Sequence, residues 1–211
     1  MSVYVAPEVA AVRALHPYLA DPEFRALSMR DQIALQAETV YRAFHTGDDR
    51  VAPHLLSWWP EARGRAWAEL RDGPFTPADA RLTLAREYGF ADEVPDAPTD
   101  PGFEAALDQM LAGDLGFDTG FATQRSSFGH GATLLHYLGA NGVETHRQVT
   151  PLNAPEIARH LIAHGADPRA EAHMYGGGQT PVLLAATSAH PHAAGIAEAL
   201  IQALDQPSGL P

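Results

Sequence analysis

The chain has 211 residues and no cysteine, so it can bury a sizeable core but can form no disulfide and no thiolate metal site. Its 26 acidic residues outnumber 14 basic ones, and the net charge of −12 argues against nucleic acid or an anionic membrane as a partner. The first residues do not resemble a signal peptide, and no apolar run approaches the ~20 residues that a helix needs to span a bilayer. The sequence therefore predicts a cytoplasmic protein with no membrane contact.

Apolar residues at helical spacing dominate the first 90 residues. Ser28 is suited to cap a helix whose apolar face recurs over residues 33–44, and Gly47 is suited to end it. Proline in a first turn and glycine after a last turn mark further boundaries. Three more helices are expected here, over residues 49–59, 60–72 and 76–89.

Residues 91–102 concentrate Pro, Asp and Gly without apolar periodicity and are the best candidate linker. They separate an N-terminal helical segment, residues 1–95, from a second region, residues 100–211. That region begins with a helix ending near Gly113, followed by a loop. Because no long alternating strand pattern occurs, the predicted fold class is all-α, with β structure confined to turns.

An internal repeat follows residue 130. Residues 131–136, GATLLH, resemble the opening G-x-T-P-L-H of an ankyrin repeat, with Leu134 in place of proline. Residues 156–168 resemble the second helix and exit turn of that repeat, and residues 178–186 open a second one. The resemblance implies helix pairs that stack into a short solenoid, because one pair cannot bury its apolar face alone.

The same region is similar to a group of bacterial ankyrin-repeat proteins. The shared motifs are LLHY at 134–137, ANGVE at 140–144, RQ-x-TP-x-N at 147–153 and MYGGG at 174–178. Residues 74–90 also resemble a segment that these proteins often carry before their repeats. The resemblance implies a fold more than a function.

The repeat contains an insertion. Thr133 and Thr180 are 47 residues apart, whereas the ankyrin period is about 33. Most of the excess lies between the two helices, in an inserted loop at residues 144–155. Polar side chains in or beside this loop are binding candidates: Asn141, Glu144, Arg147, Gln148 and Asn153. The loop either binds a ligand, or satisfies itself by pairing Glu144 with Arg147 and capping the next helix with Asn153.

Another candidate is the glycine-rich segment at residues 170–179 that leads into the second repeat, which we call the finger. Tyr175, Gly176 and Gly177 begin a run of glycines that permits either positive-φ turns or close approach to a ligand. The histidines are expected to have structural roles and not catalytic or metal-binding ones. His136 is expected to bond backbone groups, as its ankyrin counterpart does, and the i, i+4 pair at residues 160 and 164 lacks the carboxylate of a zinc motif. No metal and no cofactor is predicted.

Two functions remain open from the sequence. The first is a non-enzymatic module for protein–protein interaction, whose acidic charge favours a basic partner. The second is a small-molecule site or enzyme, in which Arg147 holds an anionic group. Its catalytic candidates are His136, Tyr137, Glu144 and His190. The second function requires Tyr175, Glu144, Arg147 and His190 to converge on one enclosed pocket.

Overall fold

The computed structural model describes residues 2–91 and 93–205 and confirms a mostly helical protein with two short strands. Contacts divide the chain into two compact units, which are described separately. The N-terminal unit is Pro7–Thr99, and the C-terminal unit combines residues 2–6 with residues 100–205. Within the described ranges, no helix is long and apolar enough to cross a membrane.

The N-terminal unit is built around α3. In chain order its helices are α1 (Pro7–Leu15), α2 (Pro22–Arg25), α3 (Met29–Thr46), α4 (Ala52–Trp58), α5 (Trp67–Leu70) and α6 (Pro77–Glu87). Helix α3 packs against α6, and α4 packs against both α1 and α6. The predicted ends of α3 are confirmed, since the Ser28 side chain accepts from the Asp31 N–H and Gly47 has a φ of 72°.

The helix predicted over residues 60–72 was wrong. A 3-10 turn at Pro60–Ala62 is followed by Gly64 with a φ of 75°, and regular helix returns only as α5. A left-handed residue reverses the chain direction and cannot continue an α-helix. The proline and glycine signals at the two ends of this range were correct, but the internal glycine decided the outcome.

The segment predicted to be a linker is tied to the start of α3. The Met29 N–H donates to the Ala97 carbonyl at 2.9 Å, and the Arg30 N–H donates to the Pro95 carbonyl at 3.2 Å. The Arg30 guanidinium also donates to the Val94 carbonyl at 3.3 Å. These bonds satisfy backbone groups that a helix start leaves open.

The C-terminal unit consists of helix pairs. Its helices are α7 (Pro101–Leu111), α8 (Leu134–Leu138), α9 (Ala154–Ala163), α10 (Pro181–Thr187), α11 (Ala189–Ala193) and α12 (Ala197–Asp205). Helix α8 packs against α9 and α10, while α12 packs against α9 and α10. The approach of α8 to α10 depends on Gly139, because a Cβ there would lie 2.7 Å from the Leu184 Cβ.

The connection from α8 to α9 carries a 3-10 turn at Thr145–Arg147 and a short strand, β2 (Thr150–Pro151). This strand pairs antiparallel with β1 (Val3–Tyr4), with Val3 opposite Pro151 and Tyr4 opposite Thr150. Residues 1–6 were predicted to belong to the N-terminal helical segment, and this pairing was not predicted. Two-residue strands are too short for an alternation pattern to show.

His136 joins α8 to the segment that precedes α10. Its Nδ1 accepts from the Thr133 N–H at 3.1 Å, and its Nε2 contacts the Gln179 carbonyl at 3.1 Å, where the nitrogen must donate. The side chain is fully buried, and burial lowers the pKa of His136 from 6.5 to about 4. A neutral imidazole with both nitrogens engaged has the structural role expected from the sequence.

This pKa predicts a pH-dependent stability. Between pH 6.5 and 4 the unfolded chain binds a proton that folded His136 excludes, so stability should be complete above this window and fall as the pH decreases through it, by about 3 kcal/mol. Urea unfolding at a series of pH values measures the effect. The non-titrating variant His136→Gln should be less stable at neutral pH but should show a flatter pH dependence. An unchanged slope in this variant would contradict the prediction.

Candidate functional site

The inserted loop places its charged side chains in the interior. The 3-10 turn at Thr145–Arg147 directs Arg147 toward α7, where it meets Glu104. Glu144 and Tyr137 are 0% exposed, and Glu104 and Arg147 are each 6% exposed. We call the following buried residues the interior cluster: Glu104, His130, Tyr137, Glu144 and Arg147.

Arg147 is the centre of the interior cluster. Its Nη2 donates to Glu104 Oε2, and its Nη1 lies 3.5 Å from Glu144 Oε1. Asp108, at the end of α7, is a further carboxylate 3.6 Å from Nη2. The Tyr137 hydroxyl donates to Glu144 Oε1 at 3.2 Å. One guanidinium therefore bridges carboxylates from the inserted loop and from α7.

The charges of the interior cluster follow from these contacts. Burial raises the pKa of Glu144, but the His130 imidazole and the Arg147 guanidinium lower it more and hold it at about 2. Burial raises the pKa of Glu104, against the opposing effect of Arg147. Burial also raises the pKa of Tyr137 well above 10, so its hydroxyl remains a donor. Glu144 is ionised at neutral pH.

Some polar atoms of the interior cluster are unsatisfied. Glu104 Oε1, Glu144 Oε2 and Arg147 Nε are buried and have no hydrogen-bond partner within the described ranges. Buried polar atoms are nearly always hydrogen-bonded, because leaving one unsatisfied costs about 1–3 kcal/mol. The arrangement therefore retains unused hydrogen-bonding capacity around a strong ion pair.

A second group of candidate residues lies at the surface. The Tyr175 hydroxyl donates to Asn141 Oδ1 at 2.6 Å, and Asn141 Nδ2 donates to Thr187 Oγ1 at 3.5 Å. Leu183 lies one turn before Thr187 on α10. The Tyr175 and Leu183 side chains are 62% and 42% exposed. We call the surface formed by Asn141, Tyr175, Leu183 and Thr187 the finger face.

The backbone of the finger is left-handed over four successive residues. Tyr175 has a φ of 51°, and Gly176, Gly177 and Gly178 have φ values of 101°, 106° and 69°. Glycine adopts this region without strain, whereas tyrosine does not. The glycines thus provide the positive-φ turn that the sequence allowed, and Tyr175 is held in a conformation that its neighbours must impose.

The remaining loop candidates bind within the unit. The Gln148 side chain donates to the Val143 carbonyl at 2.6 Å, and the Asn153 side chain donates to the Gly113 carbonyl at 2.9 Å. In the self-satisfied alternative Asn153 caps α9. Asn153 does stand at the N-cap position of α9, but its side chain makes no cap hydrogen bond there. The expectation that Glu144 pairs with Arg147 agrees with their 3.5 Å contact.

The structure does not bring the proposed pocket residues together as one set. Glu144, Arg147 and Tyr137 meet in the interior cluster, while Tyr175 stands at the surface against Asn141. His190 is buried at the start of α11, where its N–H donates to Ser188 Oγ at 3.3 Å. A groove of about 530 Å³ lies between α3 and α6 of the N-terminal unit, and its lining includes none of these residues.

A buried hydrogen-bonded chain in the N-terminal unit was not predicted from the sequence. His54 Nδ1 lies 2.5 Å from Glu87 Oε2, and His54 Nε2 lies 3.1 Å from His16 Nε2. The other nitrogen of His16 lies 2.9 Å from the Tyr18 hydroxyl. The two histidines are 38 residues apart, so no local motif could reveal their contact. Among residues 2–91 and 93–205, no group of three or more His, Asp or Glu is placed to hold a metal ion.

Comparison with known proteins adds no assignment, since the sequence matches no family model, no curated protein and no solved structure. The inference of function therefore rests on the two groups of residues described above.

The interior cluster predicts a strong stability effect. Arg147→Met should destabilise the protein by about 3–5 kcal/mol, because it leaves the Glu104 and Glu144 carboxylates buried without their cation. The exposed Arg169 provides a matched control, and Arg169→Met should change the free energy of unfolding by less than about 0.5 kcal/mol. Urea unfolding at neutral pH measures both.

A double variant separates the ion pair from general packing. Glu104→Gln combined with Arg147→Met should be more stable than the sum of the two single effects predicts, because the second change removes a charge left unpaired by the first. Strict additivity, or equal losses for Arg147→Met and Arg169→Met, would show that Arg147 contributes no ion-pair stabilisation.

Proposed function

We propose that this chain is an ankyrin-repeat protein that binds another protein through the finger face. The repeat assignment is supported by the order of the elements. Helices α8 and α9 form one pair, α10 and α12 form the next, and α11 lies within the second pair. The finger between the pairs closes with an antiparallel bridge from Ala172 to Gln179.

The bonds at the repeat openings also support this assignment. Thr180 caps α10 by accepting from the Leu183 N–H at 3.3 Å. Thr133 precedes α8 in the equivalent position, and its N–H and hydroxyl both meet His136 Nδ1. Such contacts are expected at the Thr-Pro-Leu-His opening of an ankyrin repeat. Within the ankyrin-repeat proteins, we propose that this chain belongs with the bacterial group that shares the MYGGG motif.

The exposure of Tyr175, which is bonded through Asn141 to Thr187 on the helix that carries the exposed Leu183, is the observation that carries the binding proposal. Aromatic side chains are enriched at protein interfaces, where they bury a large area at small entropic cost. Tyr175 is already held by Asn141, so binding would order little that is not ordered in the free protein. The net charge of −12 favours a basic partner by increasing the rate of encounter.

A small-molecule site or acid/base enzyme is the second candidate, and the unsatisfied atoms of the interior cluster are the observation that favours it. The complete burial of Glu144 and Tyr137 opposes it, because a substrate must reach the reacting group. That function also requires Tyr175 and His190 to meet Glu144 and Arg147 in one pocket, and these residues do not meet. Protein binding is therefore the better supported function.

Two leucines of nearly equal exposure test the proposal. Leu183 on the finger face is 42% exposed, and Leu152 on the inserted loop is 43% exposed. Proteins captured from a lysate by the immobilised wild type should be lost with Leu183→Glu and with Tyr175→Ala, and retained with Leu152→Glu. For a captured protein that is then purified, Leu183→Glu should weaken the Kd by about 30-fold or more.

Capture that is equally sensitive to both leucine variants would contradict the finger face as the binding surface. A thermal-shift screen with metabolites addresses the second candidate. A compound that stabilises the wild type but not Glu144→Gln, together with no protein capture, would favour the small-molecule function instead.

A further inference from the structure

The finger face contains a reactive dipeptide. The sequence has two asparagines, Asn141 and Asn153, and only Asn141 precedes a glycine. Asparagine is chemically labile because the backbone nitrogen of the next residue can attack its side-chain carbonyl. A following glycine hinders this attack least, since it carries no Cβ beside the attacking nitrogen. Asn141–Gly142 is thus the position of this sequence most prone to deamidation.

One hydroxyl holds both reacting groups of this dipeptide. The Tyr175 hydroxyl donates to Asn141 Oδ1 at 2.6 Å. Burial raises the pKa of Tyr175, and a hydrogen bond from the Gly142 backbone to the same hydroxyl opposes that rise. The electrophilic carbonyl and the attacking nitrogen are therefore both engaged by Tyr175. Asn141 Nδ2 has its own contact, to Thr187 Oγ1 at 3.5 Å.

The backbone around this contact is strained on both sides. Ala140 and Tyr175, with φ values of 47° and 51°, are the non-glycine residues with positive φ in the described ranges. Gly142 has a φ of 72°, and a Cβ on it would lie 2.7 Å from the Met174 sulfur. Strained backbone persists only where its surroundings impose it, so loss of the Tyr175 contacts should release this turn.

We propose that Asn141 is a deamidation site and that its contact with the Tyr175 hydroxyl slows the deamidation. For the reaction, the Gly142 nitrogen must give up its hydrogen bond and form a bond to Asn141 Cγ. The bond from Cγ to Nδ2 then breaks, and ammonia leaves with the proton of the Gly142 N–H. Water opens the resulting succinimide to aspartate or isoaspartate. The ring-closing step requires the Gly142 nitrogen to move onto Asn141 Cγ, and the contacts with the Tyr175 hydroxyl oppose that movement by holding the turn in its present conformation.

The product would change the finger face. A carboxylate replaces the neutral amide that accepts from Tyr175, and isoaspartate adds a backbone atom at the turn that follows α8. Movement of Tyr175 away from Asn141 thus controls a covalent change in the charge and shape of this surface. The inference depends on the Tyr175 contacts and not on the identity of any partner.

Tyr175→Phe tests the proposal because it keeps the ring and removes only the hydroxyl. The purified 211-residue chain is incubated at neutral pH, and peptide mass spectrometry follows deamidation at both asparagines over time. Loss of two hydrogen bonds should accelerate deamidation of Asn141 by roughly 10- to 30-fold. Tyr41→Phe, in the N-terminal unit, is the matched control and should keep the wild-type rate. Asn153 is the internal control and should not change in either variant.

The urea-unfolded wild type gives the unprotected rate, which should exceed the native rate at Asn141. Equal rates at Asn141 in the wild type and in Tyr175→Phe would overturn the proposal. So would a native rate equal to the unfolded rate. Parallel acceleration at Asn141 and Asn153 would also overturn it, because general loosening of the unit would then explain the change.

Discussion

Burial of the Arg147 guanidinium among carboxylates is the constraint on which the C-terminal unit depends. The inserted loop between α8 and α9 is much longer than a connection between two helices needs to be. Such a loop must either extend into solvent or pack against the protein. Arg147 makes it pack, because its guanidinium bonds Glu104 on α7 and contacts Glu144 on its own loop. The same segment provides the strand that pairs with residues 3 and 4. An ion pair of this kind contributes through the high cost of leaving either charge alone in the interior.

This arrangement changes the meaning of the polar residues in the inserted loop. Their density in the sequence suggested a binding site, because long ordered loops on rigid scaffolds often bind ligands. In the structure the charged residues stabilise the loop from within, and Gln148 and Asn153 bond backbone carbonyls. The exposed candidate residues lie instead on the finger face, where Tyr175 is bonded to Asn141 and Leu183 is exposed on α10.

The finger and the interior cluster also differ in how they are stabilised. The interior cluster depends on buried charge, and its residues have little freedom to move. The finger depends on a few hydrogen bonds and on left-handed backbone at Tyr175. Such a surface is firm enough to present a side chain, yet it can open at small cost in free energy. Both the proposed binding role and the proposed chemistry of Asn141 follow from this difference.

The sequence by itself determined the helical class, most helix ends and the structural role of His136, because caps, prolines, glycines and apolar spacing act within a few residues. It could not determine the direction in which Glu144 and Arg147 point, since that depends on Glu104, which lies 40 residues before Glu144. The strand at residues 3 and 4, the His16–His54 contact and the Tyr175–Asn141 contact are equally non-local. Only the tertiary structure decided them, because residues distant in the chain exert no influence on one another until folding brings them together.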